Sequence, residues 1–320
     1  MGSSYDACYP AVAELAVSGI AAVMLDSAEL LHFRAGMLGA RTLLVTVSQS
    51  GESAEIVRLV RELRDRREPP IVVGVSNGLN NSLAGLAEHA LDTVAGVETG
   101  PSTMTFAASL VVLAALARVL AEEPVEKVLE EITEHAEVAA AAMERLLGDA
   151  SLPDRLAAWL GERGTIVILG RGPARAAAEM GALTIKEAVG IPVESLETAQ
   201  FRHGPLELAG PDLAAIVIAT EPETIALDLG LAEELLASGA AVLLVTQGPV
   251  SPTGATRPRM QPGTYPGMQP GMYVELGEVN RALAPAVSIL PAQLLAWRLA
   301  SLRGREPGSY YRASKVTTRE

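Results

Sequence analysis

The stretch RTLLVTVSQSGESAEIVRLVRELRDR, residues 41–66, changes its period partway along. Arg41 to Val47 is an apolar, β-branched run of the kind that fills a buried strand. From Glu52 to Arg66, Ile56, Leu59, Val60 and Leu63 recur at helical spacing, so one face of this segment is apolar. Between them lies Ser48-Gln49-Ser50-Gly51-Glu52-Ser53, where Gly51 permits a tight turn. A buried strand that feeds a helix is the repeating unit of a parallel α/β sheet.

Working outward, the same unit recurs. Ala21 to Leu25, Ile71 to Val75 and, more weakly, Leu91 to Val94 read as strands in the first half. Ser27 is a candidate cap for a short helix to about Phe33, and long Ala/Leu-rich helices are predicted over about 102–121 and 125–147. In the second half, Thr165 to Leu169, Leu213 to Ala219 and Ala241 to Thr246 read as strands. Helices are predicted over about 173–189, 223–238 and 291–302. Strands alternating with helices imply parallel sheets with right-handed crossovers. The expected architecture is α/β with two lobes, 1–150 and 151–303, joined near 148–160 and followed by a polar tail, 304–320. Residues 248–273, rich in Pro, Gly and Met, read as an exposed loop inserted in the second lobe.

Composition narrows the function. The 320 residues are 49% hydrophobic, enough for a sizeable core, and the formal charge of −13 argues against partners such as nucleic acid or an anionic membrane. Cys8 stands alone, so no disulfide forms within the chain and a cytoplasmic setting is expected; Cys8 itself reads as a buried helix residue rather than a nucleophile. No apolar run approaches the roughly 20 residues of a membrane span, and no basic segment leads into an apolar stretch at Met1.

The segment 48–53 offers Ser48, Ser50 and Ser53 hydroxyls, the Gln49 amide and the free N–H groups of a helix start, a cradle for an anion without Lys or Arg. A serine-rich helix cap would look the same. It is neither a nucleotide P-loop nor a dinucleotide fingerprint, and Gly170-Arg171-Gly172 lacks the third glycine of the latter.

The segment LLVTVSQSGESAEIV resembles the sugar isomerase (SIS) domain signature. The chain as a whole is similar to the isomerase half of the glutamine–fructose-6-phosphate aminotransferases, without their glutaminase domain. The likeness runs through Gly2-Ser3-Ser4, Ala95 to Phe106, LGRG at 169–172, IKE at 185–187, FRHGPLEL at 201–208 and ASKVTTRE at 313–320. It implies two tandem SIS lobes, each a three-layer αβα sandwich on a parallel sheet, with a first strand expected just before Gly2. It implies that Ser48, Gln49, Ser50 and Ser53 hold a sugar phosphate and that Ser4 contacts the sugar. Glu187 would carry a proton between C1 and C2, His203 would open the ring, and Lys315 would approach the carbonyl end as the tail folds over the site. No cofactor or metal is required, because the proton moves between adjacent carbons.

Two departures bear on the reaction. Met180 and Thr184 stand where the resemblance calls for charged residues, and Ser102-Thr103-Met104 replaces a Ser-Thr-Lys stretch. The expected activity is therefore isomerisation, deamination or deglycation of a hexose or hexosamine 6-phosphate. A sugar-phosphate sensor, or an ammonia-dependent aminotransferase working with a partner glutaminase, is the alternative. The resemblance also implies a homodimer whose site is completed across the subunit boundary. His32, His89 and His135 lie in no such motif and are expected to be structural.

Overall fold

The computed structural model describes residues 1–249 and 271–317. Its eight strands fall into two parallel sheets. The first holds β1 (Leu43–Val47), β2 (Ile71–Ser76) and β3 (His89–Asp92) in that order. The second has the order β5 (Glu194–Glu197), β4 (Thr165–Gly170), β6 (Leu213–Ala219), β7 (Ala241–Thr246) and β8 (Gly271–Glu275). Registers such as Val47↔Val75 and Gly170↔Ile218 bring the carboxyl ends of neighbouring strands level. That is where α/β sheets bind ligands.

The helices that bear on the site are α1 (Cys8–Val17), α2 (Ala54–Arg64), α3 (Met104–Leu120), α4 (Val125–Leu147), α5 (Arg175–Val189), α6 (Ile225–Ala237) and α7 (Leu290–Leu302). The α2 face predicted to be apolar is buried, with Leu59, Val60 and Leu63 at 1% exposure or less. Burying a side chain of this size contributes about 1.5–3 kcal/mol. On the opposite face Arg58 and Glu62 pair at 2.9 Å, four residues apart, which adds only about 0.3–0.5 kcal/mol. Helix α5 is the most enclosed. Ala176, Ala177, Ala178, Met180 and Ala182 are buried, and a Cβ on Gly181 would press on Ala292 of α7 and Ile168 of β4. Small residues let this helix lie close to both, which fixes Glu187 near its end.

Three expectations change. Ala21 to Leu25 is not a strand; it runs without regular structure. In the second sheet β4 lies between β5 and β6. In the first, the corresponding place between Ala21–Leu25 and β1 is a cavity of about 440 Å³ that reaches Met1 and Ser4. A strand forms only against a neighbour that takes its N–H and C=O groups, and among the described residues Ala21 to Leu25 has none. Residues 271–273 belong to β8 rather than to an exposed loop. Met272 and Tyr273 are buried, and Tyr273 is held by Thr246 Oγ1 at 3.0 Å and donates to the Gly248 carbonyl at 2.8 Å. The rest of that stretch, 250–270, lies outside the described residues. His89 opens strand β3 instead of sitting on a helix or loop.

Candidate functional site

The loop after β1 is shaped by its neighbours. Gly51 has φ +65°, and a Cβ there would lie 2.0 Å from Asn81 Oδ1. Asn81 is pinned in turn, donating to Ser76 Oγ at 3.0 Å and the Gly78 carbonyl at 2.6 Å and accepting from Ala84 N at 2.9 Å. Position 51 therefore excludes every side chain on two grounds, conformation and space. The Ser48 and Ser53 hydroxyls are 2.9 Å apart. Ser53 precedes α2 but makes no side-chain cap to it; its hydroxyl is turned to the loop instead. Gln49 N donates to Ser4 Oγ at 3.3 Å, and Glu52 N donates to Ser50 Oγ at 3.2 Å. The five predicted phosphate and sugar contacts, Ser4, Ser48, Gln49, Ser50 and Ser53, are thus gathered around one turn.

The acidic residue in this turn is turned away. Glu52 accepts from Ser82 N and Ser82 Oγ, both at 2.7 Å. Those bonds hold its carboxyl below the usual range and commit its charge to a neighbouring helix start.

The tail closes over this turn. A Cβ on Gly100 would lie 2.8 Å from the Gly308 carbonyl oxygen, so the tail crosses it at backbone contact. Arg305 stacks on Tyr311 at 4.5 Å, with its guanidinium packed on Gly190 at the end of α5. Lys315 Nζ donates to Glu98 Oε2 at 2.7 Å, the Gly100 carbonyl at 2.9 Å and Ser102 Oγ at 3.3 Å. Two residues on, the Thr317 carbonyl accepts from Ala54 N at 3.2 Å, at the first turn of α2.

Glu187 lies under the tail. Its Oε2 is buried and has no hydrogen-bond partner among the described residues. Burial pushes its carboxyl up, Lys315 pulls it back, and Glu98 adds to the rise. Tyr310 is half-buried nearby; desolvation first, then the Glu187 and Glu98 charges, push its phenol up to about 12. Glu187 and Lys315 are thus brought together, with Glu98 and Tyr310 beside them. Ser3 Oγ donates to Ser102 Oγ at 3.0 Å and links the two groups.

His203 stays outside this cluster. It follows the short helix Thr198–Phe201 beyond the edge strand β5, is exposed, and precedes Gly204 at φ +118°. Its side chain makes no hydrogen bond or ion pair among the described residues, so nothing in the single chain carries it to Glu187. Met180 and Thr184 are buried in α5, where Thr184 Oγ1 donates back to the Met180 carbonyl at 2.9 Å. These two positions are core. Cys8 is on α1, where it donates to the Ser4 carbonyl at 3.3 Å, and burial pushes its thiol up to about 11, which keeps it unreactive.

Sequence reasoning missed Glu98 as a site residue. The available signal was position: an acidic residue just ahead of a Thr/Ser-rich run that opens a long helix, where a carboxylate satisfies free N–H groups. Among the described residues no cluster of three or more His, Cys, Asp or Glu is placed to hold a metal ion, and no helix is long and apolar enough to cross a membrane.

The SIS domain family model matches residues 1–119 and 160–257, about two thirds of the chain. This chain belongs to the SIS domain family. Among curated SIS relatives, the glutamine–fructose-6-phosphate aminotransferase of Methanothermobacter thermautotrophicus is 30% identical over 290 residues, covering 90% of this chain and 45% of the relative. That of Pyrococcus horikoshii is 27% identical over 328 residues, covering 100% and 51%. The chain thus spans about half the length of the curated relatives it matches. In fold it is similar to the C-terminal domain of the Francisella tularensis glucosamine-fructose-6-phosphate aminotransferase, at TM-score 0.80 and 24% identity over 96% of this chain and 84% of that one. It is also similar to a Thermotoga maritima glucosamine-6-phosphate deaminase, at TM-score 0.72 and 20% identity over 99% and 88%.

Proposed function

We propose that this protein binds a hexose or hexosamine 6-phosphate and moves a proton between C1 and C2, as a sugar-phosphate isomerase or an amino-sugar-phosphate deaminase of the cytoplasm. The observation that carries the reading is Glu187: a buried carboxylate oxygen with no partner among the described residues, within reach of the charges of Lys315 and Glu98 under the tail. The phosphate is held by Ser48, Gln49, Ser50, Ser53 and the start of α2, and Ser4 meets the sugar. In the open aldose, Glu187 takes the C2 proton. The C2–H electron pair becomes part of a C1–C2 double bond, and the C1 oxygen takes up a proton. Delivery of the proton to C1, with collapse of the enol at C2, gives the ketose. With a 2-amino sugar the same shift gives a C2 imine, which water hydrolyses to the ketose and ammonia. Lys315 stabilises negative charge at the carbonyl end. His203, exposed on its own subunit, opens the ring of a substrate held by a second copy, so the working unit is a homodimer.

The test is incubation with glucosamine 6-phosphate or fructose 6-phosphate in deuterium oxide, followed by NMR. Deuterium enters at C1 or C2, and Glu187→Gln reduces the rate by about 10²–10⁴. The base must be ionised, so a carboxyl pushed up by burial moves the acid limb of the rate above that of an ordinary glutamate. Binding with neither exchange nor ammonia release would favour a sensor, the reading that buried, uncharged Met180 and Thr184 suit.

A further inference from the structure

The tail lysine is saturated with partners. An ammonium has three N–H donors, and Lys315 meets three acceptors: Glu98 Oε2, the Gly100 carbonyl and Ser102 Oγ. Glu98 is itself fixed. Its side chain is 5% exposed and accepts from Thr103 N at 2.8 Å, Thr105 N at 3.2 Å and Thr105 Oγ1 at 2.5 Å, at the start of α3. Burial pushes its carboxyl up, but the bonds from Lys315, Thr105 and Thr103 outweigh this and leave it below the usual range.

We propose that Glu98 is a positioning residue that holds Lys315 as an ammonium over the site, so that the lysine latches the tail shut and stabilises charge on a substrate oxygen instead of attacking a carbonyl as a free amine. The 3.3 Å contact to Ser102 is the longest of the three, and it is the one a substrate oxygen replaces. The two shorter bonds stay and keep the tail in place. The substrate part of this assignment rests on the function proposed above; the latch does not.

The latch is tested without turnover, by trace acylation of the intact protein with acetic anhydride and mass spectrometry of its three lysines. Lys127, whose side chain is 57% exposed, is the internal reference. Lys315 should react about tenfold or more slowly than Lys127, and Glu98→Gln should bring it to within about threefold. If Glu98→Gln fails to fold, Thr105→Val removes one bond that fixes Glu98 and should speed Lys315 by about threefold. Equal reactivity of Lys315 and Lys127 in the unaltered protein, or protection unchanged by these substitutions, would overturn the latch. Borohydride trapping of glucosamine 6-phosphate or fructose 6-phosphate on Lys315 would overturn the ammonium role. Absence of turnover would weigh against the proposed function and leave the acylation result standing.

Discussion

After β1 the chain turns through Ser48–Ser53 into α2; after β4 it turns through Arg171–Ala174 into α5. Both turns lie at the carboxyl end of a parallel sheet and both contain a left-handed glycine, Gly51 at φ +65° and Gly172 at φ +50°. Their fillings differ. The first keeps hydroxyl and amide donors with its carboxylate turned aside to Ser82. In the second, Arg171 donates to Asp228 at 2.6 Å and to Glu197 at 3.2 Å. Asp228 is fully buried: desolvation pushes its carboxyl up while Arg171 pulls it down. Around the same sheet end, Arg281 bonds Glu221 at 2.6 Å. One turn leaves donors for a guest, and the other consumes its charges internally. If the proposed phosphate seat holds, a duplicated scaffold supplies one binding edge and one structural edge, set by the side chains rather than the backbone plan.

The largest effect expected from this contrast is on the closed edge. Arg171→Ala leaves Asp228 as a buried carboxylate without its cation, and urea unfolding should show a loss of about 3–5 kcal/mol. Sugar-phosphate affinity at the first turn should be unchanged in the folded variant. A loss near zero would mean that the second turn is not held by its charges.

The two glycines should differ in the same way. Gly51→Ala drives a methyl into Asn81 and should cost both stability, by about 1–3 kcal/mol, and at least tenfold in sugar-phosphate affinity by calorimetry. Gly172→Ala meets nothing within 4 Å. It should cost only about 1 kcal/mol, from its backbone conformation, and leave affinity intact. Equal effects at the two positions would erase the distinction.

A smaller effect is set by pH. Asp6, in the short helix Ser3–Asp6 that carries Ser4, is buried, and its carboxyl is pushed up to about 7 by desolvation first and by Glu179 next. Its unfolded value is about 3.9. The folded state therefore binds the proton more tightly, and the stability this contributes is complete below about pH 4 and lost as pH rises to about 7. Asp6→Asn should remove that slope, raising stability by on the order of 1–3 kcal/mol at pH 8 relative to pH 4. Asp228, which has Arg171, should show no comparable gain on the same substitution. Chemical denaturation at the two pH values compares them directly.

The legibility of the chain follows the range of its interactions. RTLLVTV and TIVIL could be read because a buried strand needs only its own apolar side chains to announce itself. The Ser48–Ser53 segment was legible as strand, turn and helix in succession, while phosphate seat and simple cap look alike in sequence and only the likeness to SIS proteins pointed to the first. Ala21 to Leu25 misled because its composition suits a strand while strand pairing depends on a neighbour elsewhere. Tyr273 and Met272 were hidden by the Pro/Gly-rich stretch before them. The Glu98–Lys315 pair spans 217 positions, and no local pattern links its members.

The function proposed for this protein depends on where a sugar phosphate binds. A crystal structure of the protein soaked with glucosamine 6-phosphate should place the phosphate within hydrogen-bond distance of Ser48, Gln49, Ser50 and Ser53, with C1 and C2 facing Glu187. A phosphate held at Arg171, or a loop that stays empty at saturating ligand, would contradict it.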